Sequence, residues 1–177
     1  MAIWQGKRSL EVLTLTLQGE KFALEAGRVQ EILDLVNVTE VPGGPAFLNG
    51  LVNVRGKVVP LADLRLKFEM AATPPTIDTR IIVINISLDG ETTTVGLLAD
   101  KVHEVTEMNA EVLEDTPKIG MRWRPEFIRC IGKHGGDFIA VLDIDRVFEE
   151  GDRAAAAGSS TSGSTSSSTS ASAQDAA

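Results

Sequence analysis

Cys130 is the only cysteine in 177 residues, so the chain cannot form an internal disulfide. Such a composition suits a reducing compartment. His103 and His134 are the only histidines, and with one cysteine they make no cluster with metal-ligand spacing. Tyrosine is absent, and the aromatics are six phenylalanines and two tryptophans. A barrel that binds single-stranded nucleic acid needs a basic, aromatic-rich face, and a net charge of −8 argues against one. No run approaches the roughly 20 apolar residues of a membrane helix. Met1 to Arg8 lack the continuous apolar stretch of a signal peptide. The expectation is a soluble cytoplasmic protein without direct membrane insertion, brought to membranes only through partners.

What the chain does have is apolar content, 43%, enough to bury a core. Leu13, Leu15 and Leu17 alternate with Thr14 and Thr16, the pattern of a strand with one buried face. A polar turn and Phe22-Ala23-Leu24 complete a hairpin. Val29, Ile32 and Leu33 fall at i, i+3, i+4 and predict a short helical turn with Glu31 beside its apolar edge. Pro45 to Gly50 fits one more turn, with proline at its start and glycine past its end. Two apolar runs then flank Asn53-Val54-Arg55-Gly56, which reads as a tight turn between short strands. Arg55, with apolar neighbours on both sides, is expected to be partly desolvated and to need a partner. Pro60 implies an edge strand or a bulge.

Ala71 to Thr76, with two prolines and no apolar anchor, is the best internal boundary. Ile81 to Leu88 and Thr92 to Ala99 predict strands about an Asp89-Gly90 turn, with Gly96 marking a bulge or a close approach. Glu111 to Gly120 reads as a loop. A glycine-rich tip at 132–136 joins two further strands. Asp143 can cap a last short helix with Ile144, Val147 and Phe148 on one face. Residues 153–177 hold nine serines, three threonines and no large apolar side chain, a composition expected to be disordered. The body, residues 8–152, is expected to be all-β with a few short helices. It divides into approximate halves 8–73 and 77–152, each a small barrel, between which strands can exchange.

No residues assemble into a catalytic site. Gly56-Lys57 resembles the end of a phosphate-binding loop, but five residues separate Gly50 from Gly56 where that motif has four, and Val58 replaces the magnesium-binding hydroxyl. Cys130, flanked by Arg129 and Ile131, reads as a small buried hydrophobe. The carboxylates from Glu104 to Asp115 read as a solvated face. No nucleophile–base pair is visible. Glu31 and Arg55 stand apart, since each lies beside an apolar segment and their charges are opposite. They make either a structural ion pair or part of a recognition groove, and both can hold together.

The sequence resembles the CheW family, the coupling proteins of bacterial chemotaxis. The resemblance is carried by Val29-Gln30-Glu31-Ile32, by Thr39 to Gly50, and by Asn53-Val54-Arg55-Gly56 with Val58 to Phe68. Val95 to Val102 and Phe138 to Ile144 carry it in the second half. It implies two small SH3-like β-barrels packed together and an adaptor with neither catalysis nor cofactor. It also implies partners: the CheW-like regulatory domain of the histidine kinase CheA, and the cytoplasmic tips of methyl-accepting chemotaxis receptors within membrane-bound arrays. Kinase relatives add phosphotransfer and ATPase domains, and CheV relatives add a receiver, for which this chain has no room. A related motility or developmental pathway uses the same adaptor type. By position, the resemblance places Val29, Glu31, Ile32, Gly50, Val54, Arg55, Gly56, Leu98, Val102 and Val105 around a receptor groove between the barrels, with Glu31 and Arg55 as an ion pair.

Overall fold

Two runs, Ile81–Ile84 and Ile139–Leu142, are apolar at every position. A strand carries such a run when both of its faces are covered. The computed structural model, which describes residues 8–48, 50–117, 120 and 124–149, shows what covers them. Its strands are β1 (Ser9–Leu17), β2 (Glu20–Glu25), β3 (Val29–Asp34), β4 (Thr39–Glu40), β5 (Gly50–Val54), β6 (Lys57–Ala62), β7 (Arg80–Leu88), β8 (Glu91–Ala99), β9 (Lys101–Asn109), β10 (Leu113–Glu114), β11 (Ile128–His134) and β12 (Asp137–Leu142). Helix α1 (Leu64–Lys67) follows β6, and a helix over 144–149, α2, follows β12. One sheet runs β4-β5-β6-β8-β7-β3 and the other β10-β11-β12-β2-β1-β9. The fold is all-β, two small SH3-like barrels packed face to face.

Among the described residues the apolar interior forms three clusters. Val52, Val54, Val59, Leu61, Ile81 and Val83 fill the first barrel. Leu10, Val12, Ala23, Met108, Leu113, Cys130, Ile139 and Val141 fill the second. Between the barrels lies a larger shared core, to which β7 gives Ile82, Ile84 and Ile86 and β1 gives Leu13, Leu15 and Leu17. Alternation therefore sends odd and even positions of one strand into two different cores.

The sheets do not follow the sequence break near residues 71–78. Hairpin β1–β2 belongs with β9–β12, and hairpin β7–β8 with β3–β6. Each half thus completes its barrel with the other's leading hairpin. The two sheets have the same strand order once β1–β6 is matched to β7–β12. The sequence repeats accordingly: Pro45, Phe47, Gly56, Asp63 and Phe68 recur 80 positions on as Pro125, Phe127, Gly136, Asp143 and Phe148. So do the contacts. The Asp63 amide donates to the Phe47 carbonyl at 2.8 Å, and the Asp143 amide to the Phe127 carbonyl at 2.8 Å. Parallel pairing joins β6 to β8 and β12 to β2. Four tight hairpins among the described residues turn on two residues of positive φ, the second a glycine: Gln18-Gly19, Arg55-Gly56, Asp89-Gly90 and Gly135-Gly136. That geometry matches the twist of the strands it joins.

Three expectations are corrected or refined. Residues 29–34 form a strand paired with β7 instead of a helical turn. The stretch from Glu111 contains a 3-10 turn and the two-residue β10, because Leu113 is drawn into the second-barrel core. Pro60 lies where β6 is still free on one side, since the pairing with β8 begins at Leu61. The helix capped by Asp143 is present, with Ile144, Val147 and Phe148 all buried. The serine-rich tail lies outside the described residues.

Because the shared core joins both barrels, Ile84→Ala should cost about 2–5 kcal/mol. Urea unfolding of this variant should remain a single transition seen alike by fluorescence and circular dichroism. Two separate transitions would contradict a core common to both barrels.

Candidate functional site

Strands β3 and β9 end their respective sheets and are equivalent in the repeat. Each carries a bulge. In β3, Val29 pairs with Ile84 but Glu31 with Val83. In β9, Val102 pairs with Leu15 but Val105 with Leu13. An extra residue turns a period of two into a spacing of three. Val29 and Ile32 therefore share one face, and so do Val102 and Val105. The i, i+3 spacing that predicted a helix is the signature of this bulge. The β9 bulge is held by Thr14, whose hydroxyl donates to the Glu104 carbonyl at 3.1 Å and accepts the Glu104 amide at 3.3 Å.

Register decides what these residues face. Val29 is level with Ile84, and Val102 with Leu15, and both pack on the shared core. Ile32 is level with Ile82, and Val105 with Leu13, both shared-core residues. Yet Ile32 is 42% exposed and Val105 55% exposed. The layer between the barrels thus continues to its margins as apolar side chains left uncovered.

Glu31 and Arg55 meet. The Arg55 Nε donates to Glu31 Oε2 at 3.0 Å, and a terminal guanidinium nitrogen lies 2.7 Å from the same oxygen. Strands β3 and β5 are not neighbours in the sheet, so this contact ties the edge strand to the β5–β6 hairpin tip and helps close the first barrel. The expected desolvation of Arg55 is corrected: its side chain is 81% exposed, whereas that of Glu31 is 20% exposed. The guanidinium leaves the sheet at a positive-φ turn position, where solvent reaches it. Asn53 Oδ1 accepts the Gly56 amide at 2.8 Å and fixes that turn.

The other candidates are split by the same register. Val54 is buried in the first-barrel core, and Leu98, level with Ile81, packs against it. Gly50 is buried, and a Cβ there would lie 2.7 Å from a methyl of Val38. Gly56 is exposed at the hairpin tip. The structure therefore brings Val29, Ile32, Val102 and Val105 to one interbarrel layer. Glu31, Val54 and Leu98 go to the first barrel's interior side.

Sequence reasoning missed two ion pairs at the barrel junctions. Arg65, on α1, is almost fully buried. It donates to Asp63 at 2.9 and 2.8 Å, to Asp100 at 2.7 Å and to the Thr73 carbonyl at 3.1 Å. Asp100 in turn accepts the Gln18 amide at 2.7 Å. The hydrogen bond to Asp63 raises the Arg65 pKa further above its already high value, against the opposing effect of burial. At the second junction, Arg28 grips Asp145 of α2 with two bonds of 2.7 and 2.6 Å, and Asp145 accepts the Ser87 amide at 2.9 Å. Arg65 and Asp145 are 80 positions apart, so the repeat keeps the pair but reverses its polarity. The recurrence of Asp63-Leu64-Arg65 as Asp143-Ile144-Asp145 was the available signal.

No catalytic grouping accompanies these features among the described residues. No set of three or more His, Cys, Asp or Glu could hold a metal ion among them. His103 is exposed, its Nε2 2.7 Å from the Thr16 hydroxyl. His134 sits on an exposed hairpin, 3.5 Å from Glu104. Burial pushes the Cys130 thiol from its ordinary 9.0 up to about 12. Among the described residues no helix is long and apolar enough to cross a membrane.

Two predictions follow from burial. Arg65→Ala strands two carboxylates and should cost about 3–5 kcal/mol in urea unfolding, while Arg55→Ala removes an exposed partner and should cost below about 1 kcal/mol. Equal losses would contradict the assignment of the buried pair as the structural one. For Cys130, the unfolded chain releases its proton near 9.0 and the folded chain only near about 12. The contribution is whole below pH 9.0 and is lost as pH rises through that window. Cys130→Ala should flatten part of the fall in urea midpoint between pH 8.5 and 11, and an identical fall in both proteins would refute it.

Known proteins resemble this chain over most of its length. The sequence model of the CheW-like domain matches residues 11–152. The chain is 29% identical over 144 residues to chemotaxis protein CheW of Klebsiella aerogenes, covering 81% of this chain and 84% of that protein. It is 29% identical over 146 residues to chemotaxis protein CheW of Rhizobium meliloti, covering 82% and 92%. The solved structure of the scaffolding protein TtCheW from Thermoanaerobacter tengcongensis superposes with a TM-score of 0.71 at 28% identity, covering 79% of this chain and 92% of that one.

Proposed function

Because the chain belongs to the family of CheW-like domains, a family of chemotaxis scaffolds, we propose that it is a non-catalytic adaptor coupling methyl-accepting receptors to the histidine kinase CheA. The observation that carries this reading is the uncovered margin of the interbarrel layer, Ile32 on β3 and Val105 on β9, within a chain matched by the family over residues 11–152. A receptor's cytoplasmic tip is a helical hairpin, and an amphipathic helix docks by laying its apolar face into such a groove. Val29 and Val102 form the floor of the groove on the shared core, and Ile32 and Val105 its walls. Glu31 and Arg55 hold the shape of the β3 side, with the Arg55 guanidinium free at its outer face to meet an acidic or polar group of the receptor. Gly50, Val54 and Leu98 support that side from within the first barrel, and Gly56 shapes the hairpin tip that carries Arg55.

The adaptor works by simultaneous binding. The kinase's regulatory domain occupies a second surface, so a change in receptor packing is passed on as a change in kinase geometry. The coupling is a difference in binding free energy between two kinase states. Individually weak contacts suffice, because an array supplies a high effective concentration. The protein acts at the cytoplasmic side of the membrane, recruited through its partners.

Ile32→Glu combined with Val105→Glu should weaken binding of a receptor-tip fragment by at least about tenfold, with the circular dichroism spectrum unchanged. Wild-type affinity in the double variant would remove the groove assignment. Glu31→Lys should reduce receptor-dependent stimulation of the kinase in a reconstituted array while the protein stays folded, and undiminished stimulation would show that the ion pair is dispensable.

A further inference from the structure

The two junction ion pairs, one buried around Arg65 and one half-buried at Arg28–Asp145, stand at corresponding points of the repeat, and each sits immediately before a margin strand. Arg28 is the residue before β3, and Asp100 is the residue before β9. Each is gripped by a side chain from the short helix that follows the parallel strand of its barrel: Asp145 of α2 for Arg28, and Arg65 of α1 for Asp100. In each case the acidic partner also accepts the amide just past, or near, the end of a leading strand, Gln18 after β1 and Ser87 in β7. The bulge follows within four residues in both strands, and the exposed apolar residue follows the bulge.

We propose that these two ion pairs are positioning clamps for the docking margins. Arg28–Asp145 fixes where β3 leaves the barrel junction, and Arg65–Asp100 does the same for β9. Ile32 and Val105 are thereby held at one separation across the interbarrel layer. This inference rests on the groove assignment above and deepens it by naming what sets the groove's width.

Several features support it. The Arg28–Asp145 contact is bidentate and fixes orientation as well as distance; Arg65 makes a single bond to Asp100 and is itself oriented by two bonds to Asp63. An anchor at the start of a strand limits where a bulge can aim the residues beyond it. The edge strands have a hydrogen-bonded neighbour on one side only, so their outer margins need an anchor from elsewhere. Neither Ile32 nor Val105 is a hydrogen-bond partner of a clamp residue. A change at a clamp therefore reaches the docking surface through strand position and not through direct contact. The reversed polarity makes the clamps non-interchangeable. A hairpin connection bearing Arg28 beside Arg65, or Asp100 beside Asp145, would bring like charges together at a junction only partly open to solvent.

The test uses the full chain in three forms: wild type, Arg28→Ala and Arg28→Lys. Ile139→Val, a truncation in the second-barrel core on β12, which is neither a margin strand nor part of the shared core, serves as a control for general loss of stability. Binding of a receptor-tip fragment and thermal midpoint are measured together. Arg28→Ala should weaken binding by about tenfold, and Arg28→Lys should recover part of that loss by keeping the charge. Ile139→Val should lower the midpoint without weakening binding. Wild-type affinity in Arg28→Ala would overturn the clamp. Loss of binding that simply tracks the midpoint across all the variants would overturn it too. Failure of the wild type itself to bind would overturn the docking assignment instead.

Discussion

Everything in this molecule depends on the exchange of leading hairpins between its two halves. Hairpin β1–β2 completes the second barrel and β7–β8 the first, so neither barrel closes without residues from the other half. The central strands β1 and β7 consequently face a barrel interior on one side and the shared core on the other. A fully buried Leu or Ile on such a strand contributes about 1.5–3 kcal/mol relative to exposure. That contribution favours both barrels at once, because removing one hairpin uncovers two cores. The relative orientation of the barrels is thus set by packing and not by a linker.

That rigidity is what gives the margins of the shared layer their meaning. The core ends toward the sheet edges, and the last apolar side chains on that face of the two edge strands, Ile32 and Val105, are left half uncovered. Isolated exposed hydrophobics are ordinary on protein surfaces. These two differ because they are equivalent in the repeat, share the same bulge mechanism and continue a single apolar layer. A scaffold needs such fixed geometry more than it needs reactive groups.

Much of the fold could be read from residue patterns, for identifiable reasons. The Asp89-Gly90 and Arg55-Gly56 turns carry strong local signals, and the capped helix after Asp143 shows its apolar face directly. The β3 strand was hidden because its bulge mimics helical spacing at Val29 and Ile32. Exchange between the halves was anticipated, but which hairpins exchange was hidden, because that is a long-range choice of partner, made by complementary cores and not by local preference. The 80-residue recurrence from Pro45 to Phe68 did announce a duplicated unit, but with so few identical residues it stands out only once the shared contacts are known. At the site, the opposite charges of Glu31 and Arg55 pointed to a pair that the structure contains. Their unequal exposure follows from the turn geometry. Arg65 and Asp100 lie 35 positions apart in sequence, so nothing local advertised the buried pair.

The central claim is that one rigid body holds two partners at once, one at the interbarrel margin and one elsewhere. Size-exclusion chromatography of the full chain with a CheA regulatory domain and a receptor-tip fragment tests it most directly. The account predicts two binary complexes and a ternary complex containing all three proteins, with the receptor fragment alone lost when Ile32 and Val105 are replaced by glutamate. Mutually exclusive binding of kinase domain and receptor tip, with no ternary species, would contradict it.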